Sequence, residues 1–171
     1  MATPASAARA VPLVAWLALA AAIAAADQLA KLAVARALAP GEVVPVTPFF
    51  NLVHVFNRGA AFSFLAGAGG WQREFFIAVT VGAAALILYL LRRHAGELRF
   101  CLGLALILGG AVGNLWDRVA LGHVVDFLDF HVAGWHWPAF NVADAAITVG
   151  AGVLILDAFL SGRRGQGGAS R

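Results

Sequence analysis

The sequence predicts a membrane protein that is mostly α-helical: a four-transmembrane-helix bundle with a small extracytoplasmic β element. Three observations predict it. Of its 171 residues, 61% are hydrophobic and only 12% charged, with mean hydropathy +0.83, whereas a soluble domain is about half apolar and about a quarter charged. Four runs are apolar enough to cross a bilayer, 11–26, 75–91, 100–116 and 142–160, judged against a requirement of roughly 20 residues. The basic residues gather at the ends of these runs. The net charge of +3 and pI near 10.0 would suit a nucleic-acid partner, but these residues form no patch with interleaved aromatics, which speaks against one. The length fits one integral-membrane domain, 1–162, followed by a Gly/Arg/Ser-rich tail, 163–171, expected to be disordered and cytoplasmic.

The first run, VPLVAWLALAAAIAAA, continues in helical composition through DQLAKLAVARALA to Pro40. A rival expectation is a cleavable secretory signal, since Arg9, an apolar stretch and small residues precede Asp27. Arg9, the RRHAGELR link between the second and third runs, and the GRRGQGGASR tail share one side of a four-span chain. The positive-inside rule makes that side, with both termini, cytoplasmic. Residues 35–73 and 118–140 then lie outside, although Arg36, Arg58, Arg73 and Arg118 sit in or beside them. Trp71, Trp116, Trp135 and Trp137 fall at the outer helix ends, as an interfacial belt does. EVVPVTPFFNLVHVFN and HVVDFLDFHV mix β-branched and aromatic residues and read as short strands. Gly67, Gly69 and Gly70 suggest that 57–73 includes a mobile lid. The single cysteine, Cys101, excludes an intrachain disulfide and a cysteine metal cluster.

Polar residues in such a chain need an explanation, because a charge at mid-bilayer costs about 2.5–3.5 kcal/mol on the insertion scale and usually marks function. Asp27 and Lys31 are spaced i,i+4 in the favourable order for an ion pair that stabilises a helix end. Gly110, Asn114 and Arg118 form one stripe of the third helix, where a small residue lets backbones approach. Asp117 is expected to pair with a basic neighbour in sequence, and Asp157 to be structural. Asn141 suits an N-cap, which makes Asp144 the third helical residue, able to reach back to the cap. A structural cap therefore accounts for Asp144 locally. A second acid in the apolar run VVDFLDF changes the balance. Two carboxylates that meet at a dry surface share one proton, so that one activates water while the other protonates the carbonyl oxygen or leaving amine. Spacing alone does not choose Asp126 over Asp129 as the partner, although the two face opposite sides of a strand. The histidines lack an H-E-x-x-H or a nearby acidic ligand, and Ser63 lacks a nucleophile-elbow context. No metal site is expected from these motifs.

Four blocks, DQLAK (27–31), NRGAAFS (57–63), GGAVGNLWDRVALGHVVDFLDF (109–130) and FNVADAAI (140–147), occur in an order and spacing that resemble lipoprotein signal peptidase, the signal peptidase II family. Ala30 departs from the hydroxyl residue often found before the lysine. The resemblance implies a bacterial inner-membrane aspartic endopeptidase with Asp126 and Asp144 as its catalytic pair. It implies that Asn57, Gly59, Asn114, Arg118 and Asn141 line the site or orient substrate, and that Asp27 and Lys31 brace helix one against the β element. Its substrates are signal peptides of prolipoproteins, cut before a diacylglyceryl-modified cysteine. The expected setting is an extracytoplasmic site among membrane lipids in a monomer inhibited by globomycin, without cofactor. The alternative is a small transporter or proton-relay bundle, in which the same two acids pass protons; a further one is a non-enzymatic assembly factor.

Overall fold

The computed structural model describes residues 11–59 and 71–166. Helix α1 (Leu13–Ala37) begins after extended Pro12 and ends where Leu38 turns extended, because Pro40 excludes helical geometry just ahead of it. It runs unbroken through Asp27. Trp16 and Ala20, upstream of the expected cleavage point, belong to the buried core with Ile87, Leu91, Leu104 and Leu108. The first run is thus packed into the bundle.

Strands β1 (Val43–Thr47) and β2 (Phe50–Asn57) form a hairpin, followed beyond residues 60–70 by α2 (Gln72–Arg93) and α3 (Leu98–Ala120). The chain then enters β3 (Val124–Val132) and β4 (Trp135–His136) before α4 (Val142–Gln166). All four helices are long and apolar enough to cross a membrane. The four-stranded sheet has order β1-β2-β3-β4, antiparallel throughout. Ala133 and Gly134 both have positive φ, 50° and 82°, the requirement of the tight turn between β3 and β4. The chain returns along β3: Phe140 accepts from Phe127 and Leu128 at 3.0 and 2.8 Å, and donates to Leu128 at 3.1 Å. That return sets Asn141 and the start of α4 beside Asp126.

α3 is the central helix. Half of its apolar window is buried (50%), against 17%, 11% and 11% for the other three; their exposed apolar faces are what a lipid environment requires. Its glycines explain how neighbours reach it. A Cβ at Gly109 would meet Ala20 O of α1 at 2.7 Å, and one at Gly110 would collide with Ala143 O of α4. Small residues thus admit two helices on adjacent faces, the packing role expected for GGAVG.

Two expectations fall at the margins. α4 continues to Gln166, so residues 163–166 of the expected disordered tail are helical; no proline after Pro138 interrupts it. Residues 167–171, and most of the expected lid (60–70), lie outside the described residues.

Candidate active site

Asp144 does begin α4 as a cap. Asn141 Oδ1 accepts the Asp144 N–H at 2.9 Å, and Asp144 Oδ2 accepts the Asn141 N–H at 3.3 Å. This reciprocal capping box satisfies two backbone donors that no helical carbonyl can reach. The cap uses only one carboxylate oxygen. The other, Oδ1, accepts from Asn114 Nδ2 at 2.8 Å, so capping and a second role coexist.

The same amides lead to Asp126. Asn141 Nδ2 donates to Asp126 Oδ1 at 2.7 Å and lies 3.2 Å from Asn114 Oδ1. Asn57, the last residue of β2, donates to Asp126 Oδ2 at 3.0 Å and accepts the Gly59 N–H at 2.9 Å. The four residues Asp144, Asn114, Asn141 and Asp126 therefore form one hydrogen-bonded run across α3, β3 and α4. Among the described residues, no lysine or arginine forms an ion pair with either carboxylate. Burial, then the charge of Asp144, pushes the Asp126 carboxyl up to about 7, against the opposing bonds from Asn57 and Asn141 and the charge of Lys31. Asp126 is 2% exposed.

Asp129 has a different fate. It is buried, which alone would raise its pKa, but bonds from Asn51 and His136 hold it below the usual carboxylate range. Asn51 donates at 2.8 Å, and His136 Nδ1 lies 2.9 and 3.0 Å from the two oxygens. Three residues apart on β3, the two acids face opposite sides, as the strand period requires.

Asp27 and Lys31 do not brace helix one chiefly against the β element. Lys31 Nζ meets Asp27 Oδ2 at 2.7 Å, Asp117 Oδ2 at 2.8 Å and Asn114 Oδ1 at 2.9 Å, all buried. Asp27 Oδ1 accepts the Ala143 N–H at 2.8 Å. The brace ties α1 to α3 and α4, because the glycine stripe brings those helices within side-chain reach. Within this cluster it is Asp117 that reaches the sheet, accepting the Val125 N–H at 3.2 Å. The sequence points to a basic neighbour for Asp117; its cation instead comes from α1. Gln28, which the sequence does not single out, donates to Asp117 Oδ1 at 2.8 Å and to Gly113 O at 3.1 Å. A signal for Asp117 exists: it lies three residues after Asn114 and seven after Gly110, on their stripe.

Arg118 stays beside Asn114, its Nη1 donating to Asn114 O at 3.3 Å. Its Nη2 donates to Gly59 O at 3.1 Å, and its Cζ lies 5.0 Å from the Phe76 ring centroid. Arg118, Asn57, Asn114 and Asp144 line a cavity of about 510 Å³, completed by Trp137–Phe140 and, along α4, Ala145 and Ile147–Val149. Polar groups thus sit at one end of a groove that follows an apolar helix. Gly110 lines no part of it; its place is the α3–α4 contact. Among the described residues no three His, Cys, Asp or Glu side chains converge as a metal would need. What the arrangement offers is acid–base chemistry beside a groove.

Residues 19–160 match the sequence profile of the family described as Signal peptidase (SPase) II. The lipoprotein signal peptidase of Paraburkholderia phymatum is 61% identical over 142 residues, 83% of this chain and 86% of that protein. That of Ralstonia nicotianae is 61% identical over 138 residues, 81% of this chain and 80% of that protein. A bacterial membrane enzyme solved by the in meso method at 2.3 Å superposes with TM-score 0.76 and 32% identity, over 86% of this chain and 88% of that one. A second, at 1.9 Å, gives TM-score 0.73 and 31% identity, over 84% and 91%.

Proposed function

The chain belongs to the signal peptidase II family, and from that premise we propose that it is an aspartic endopeptidase acting through Asp126 and Asp144. Its substrates are prolipoproteins whose signal peptide is cut before a diacylglyceryl-modified cysteine. The observation that carries this reading is the amide run joining the two carboxylates without a cation between them.

With one proton on the pair, Asp126 is the acid and Asp144 the base. Asp144 accepts hydrogen bonds from Asn114 and the Asn141 N–H, which leaves its oxygens placed as acceptors. It takes a proton from water as the oxygen attacks the scissile carbonyl, while Asp126 gives its proton to the carbonyl oxygen. The proton on Asp144 then passes to the leaving amine, the C–N bond breaks, and the acid released returns a proton to Asp126. Asn57 and Asn141 orient Asp126, Asn114 orients Asp144, and Arg118 with Gly59 faces the peptide backbone. Gly110 keeps α4 close enough for the pair to meet.

The groove's apolar course along α4 suits a lipid-modified substrate. Acyl chains hold the cysteine at the interface, each buried methylene contributing about 0.8 kcal/mol, so the site meets the bond without extracting the lipid. In this reading both termini are cytoplasmic, the site opens at the extracytoplasmic face of the bacterial inner membrane, and the monomer suffices. Membrane lipids surround it, and globomycin competes for the groove.

The test is cleavage of a diacylglyceryl-modified prolipoprotein by the purified protein, with and without globomycin. Cleavage before the lipidated cysteine, lost in Asp126→Asn and in Asp144→Asn, is the expected result. Undiminished processing by either variant would overturn the proposal, and substrate-dependent proton flux in liposomes would favour the relay instead.

A further inference from the structure

Arg73 has the wrong charge for its own helix and the right one for its neighbour. It is the second residue of α2, where the dipole favours acids. Its guanidinium instead reaches the C-terminus of α3, donating from Nε to Arg118 O at 2.7 Å and from Nη2 to Val119 O at 2.8 Å. Carbonyls of a last helical turn have no partner within the helix, and a cation there is favoured. One turn further along α2, Phe76 sets its ring 5.0 Å from the Arg118 Cζ, inside the roughly 6 Å reach of a cation–π contact. The guanidinium is completed by Gly59 O at 3.1 Å and Asn114 O at 3.3 Å. Two residues of one helix thus grip both the backbone and the side chain of residue 118. In this half of α2 Gln72 is buried as well, whereas Ile87 and Leu91 are buried in the other half.

We propose that Arg73 and Phe76 are positioning residues that aim the Arg118 guanidinium along the wall of the groove, so that its remaining N–H donors receive the substrate backbone. A guanidinium has five N–H donors in a planar fork. Covering one face with a ring and fixing one N–H on each Nη leaves three N–H donors in a defined plane for a peptide carbonyl. Helix α2, which supplies none of the residues lining the groove, would then contribute to substrate binding through Arg118 alone. The inference rests on the proposed peptide-facing role of Arg118.

The test is a double-mutant cycle on cleavage of the diacylglyceryl-modified prolipoprotein. Phe76→Leu, Phe76→Tyr and Arg73→Gln are each measured in the native background and in Arg118→Gln. Binding is read as KM where turnover persists, and as affinity for the uncleaved peptide where it does not. Phe76→Leu should weaken binding about fivefold with kcat nearly unchanged, Phe76→Tyr should restore it, and Arg73→Gln should weaken it about threefold. In Arg118→Gln all three should have no effect. Equal losses in both backgrounds would overturn the inference by showing a merely structural role. If Phe76→Leu does not accumulate in the membrane, the Arg73→Gln pair decides alone. Activity that survives Asp126→Asn would instead overturn the dyad, while the coupling of Arg73 and Phe76 to Arg118 would still be read from the cycle.

Discussion

Two pairs of aspartates stand on either side of Asn114, and they are held by opposite means. Between Asp27 and Asp117 lies the Lys31 ammonium, 2.7 and 2.8 Å from the two carboxylates. Among the described residues, the amides of Asn114 and Asn141 join Asp126 and Asp144. A lysine supplies charge as well as hydrogen bonds, so the first pair is neutralised down to a single negative charge. Amides supply hydrogen bonds alone, and the second pair keeps its mutual repulsion. A proton is the remaining way to relieve it. The first pair also frames the second: Asp27 accepts the N–H of Ala143, just before Asp144, and Asp117 that of Val125, just before Asp126. Asn114 connects the two, accepting from Lys31 and donating to Asp144. On the proposed mechanism, the contrast separates a structural charge cluster from a reactive one at the same end of one bundle.

The most damaging way to break the contrast is to remove the reactive charges. Asp126→Asn and Asp144→Asn should each lower the cleavage rate by about a thousandfold or more, with the protein still inserted and its melting temperature little changed. Asp129→Asn, on the same strand but bonded to Asn51 and His136, should stay within severalfold of the native rate. Removing the structural cation should act on folding first. Lys31→Met leaves two buried acids unpaired and should cost about 3–5 kcal/mol, read as a lower melting temperature in detergent. Adding Asp27→Asn and Asp117→Asn to it should recover part of that loss, since an apolar or neutral cluster is less costly than a broken ionic one.

A smaller effect should follow from moving one pair against the other. Gly110→Ala places a methyl group against Ala143 O; overpacking of this kind costs about 1–3 kcal/mol, and the displaced first turn of α4 carries Asp144 with it. Both the melting temperature and kcat should fall. The smallest effect belongs to the far face of β3. His136→Phe removes one partner of Asp129 and should cost about 1 kcal/mol, with the cleavage rate within twofold of native.

The bundle is legible in the sequence because lipid imposes its pattern directly on composition: long apolar runs, glycines where helices meet, arginines at ends. The capping box at Asn141 and Asp144 is legible for a related reason, being local. What crosses between elements is not. Asp117 gives no indication that its cation comes from Lys31, and nothing in VVDFLDF decides between Asp126 and Asp129; there the resemblance to a known family chooses, and the hydrogen bonds of the two acids separate them physically. Arg73 looks like an anomaly of charge distribution until its partners on α3 are placed. A register between helices is set by packing, and spacing within one run does not contain it.

The central claim is that Asp126 and Asp144 together hold one proton at neutral pH. Infrared difference spectroscopy of aspartate-labelled protein measures it directly, through the band of a protonated carboxyl group. Asp126 held up to about 7 predicts such a band at pH 6, fading as the pH passes 7 and absent from Asp126→Asn. In Asp144→Asn the neighbouring negative charge that disfavours ionisation of Asp126 is gone, so the midpoint should move to lower pH. A native protein with no protonated aspartate at pH 6 would contradict the account.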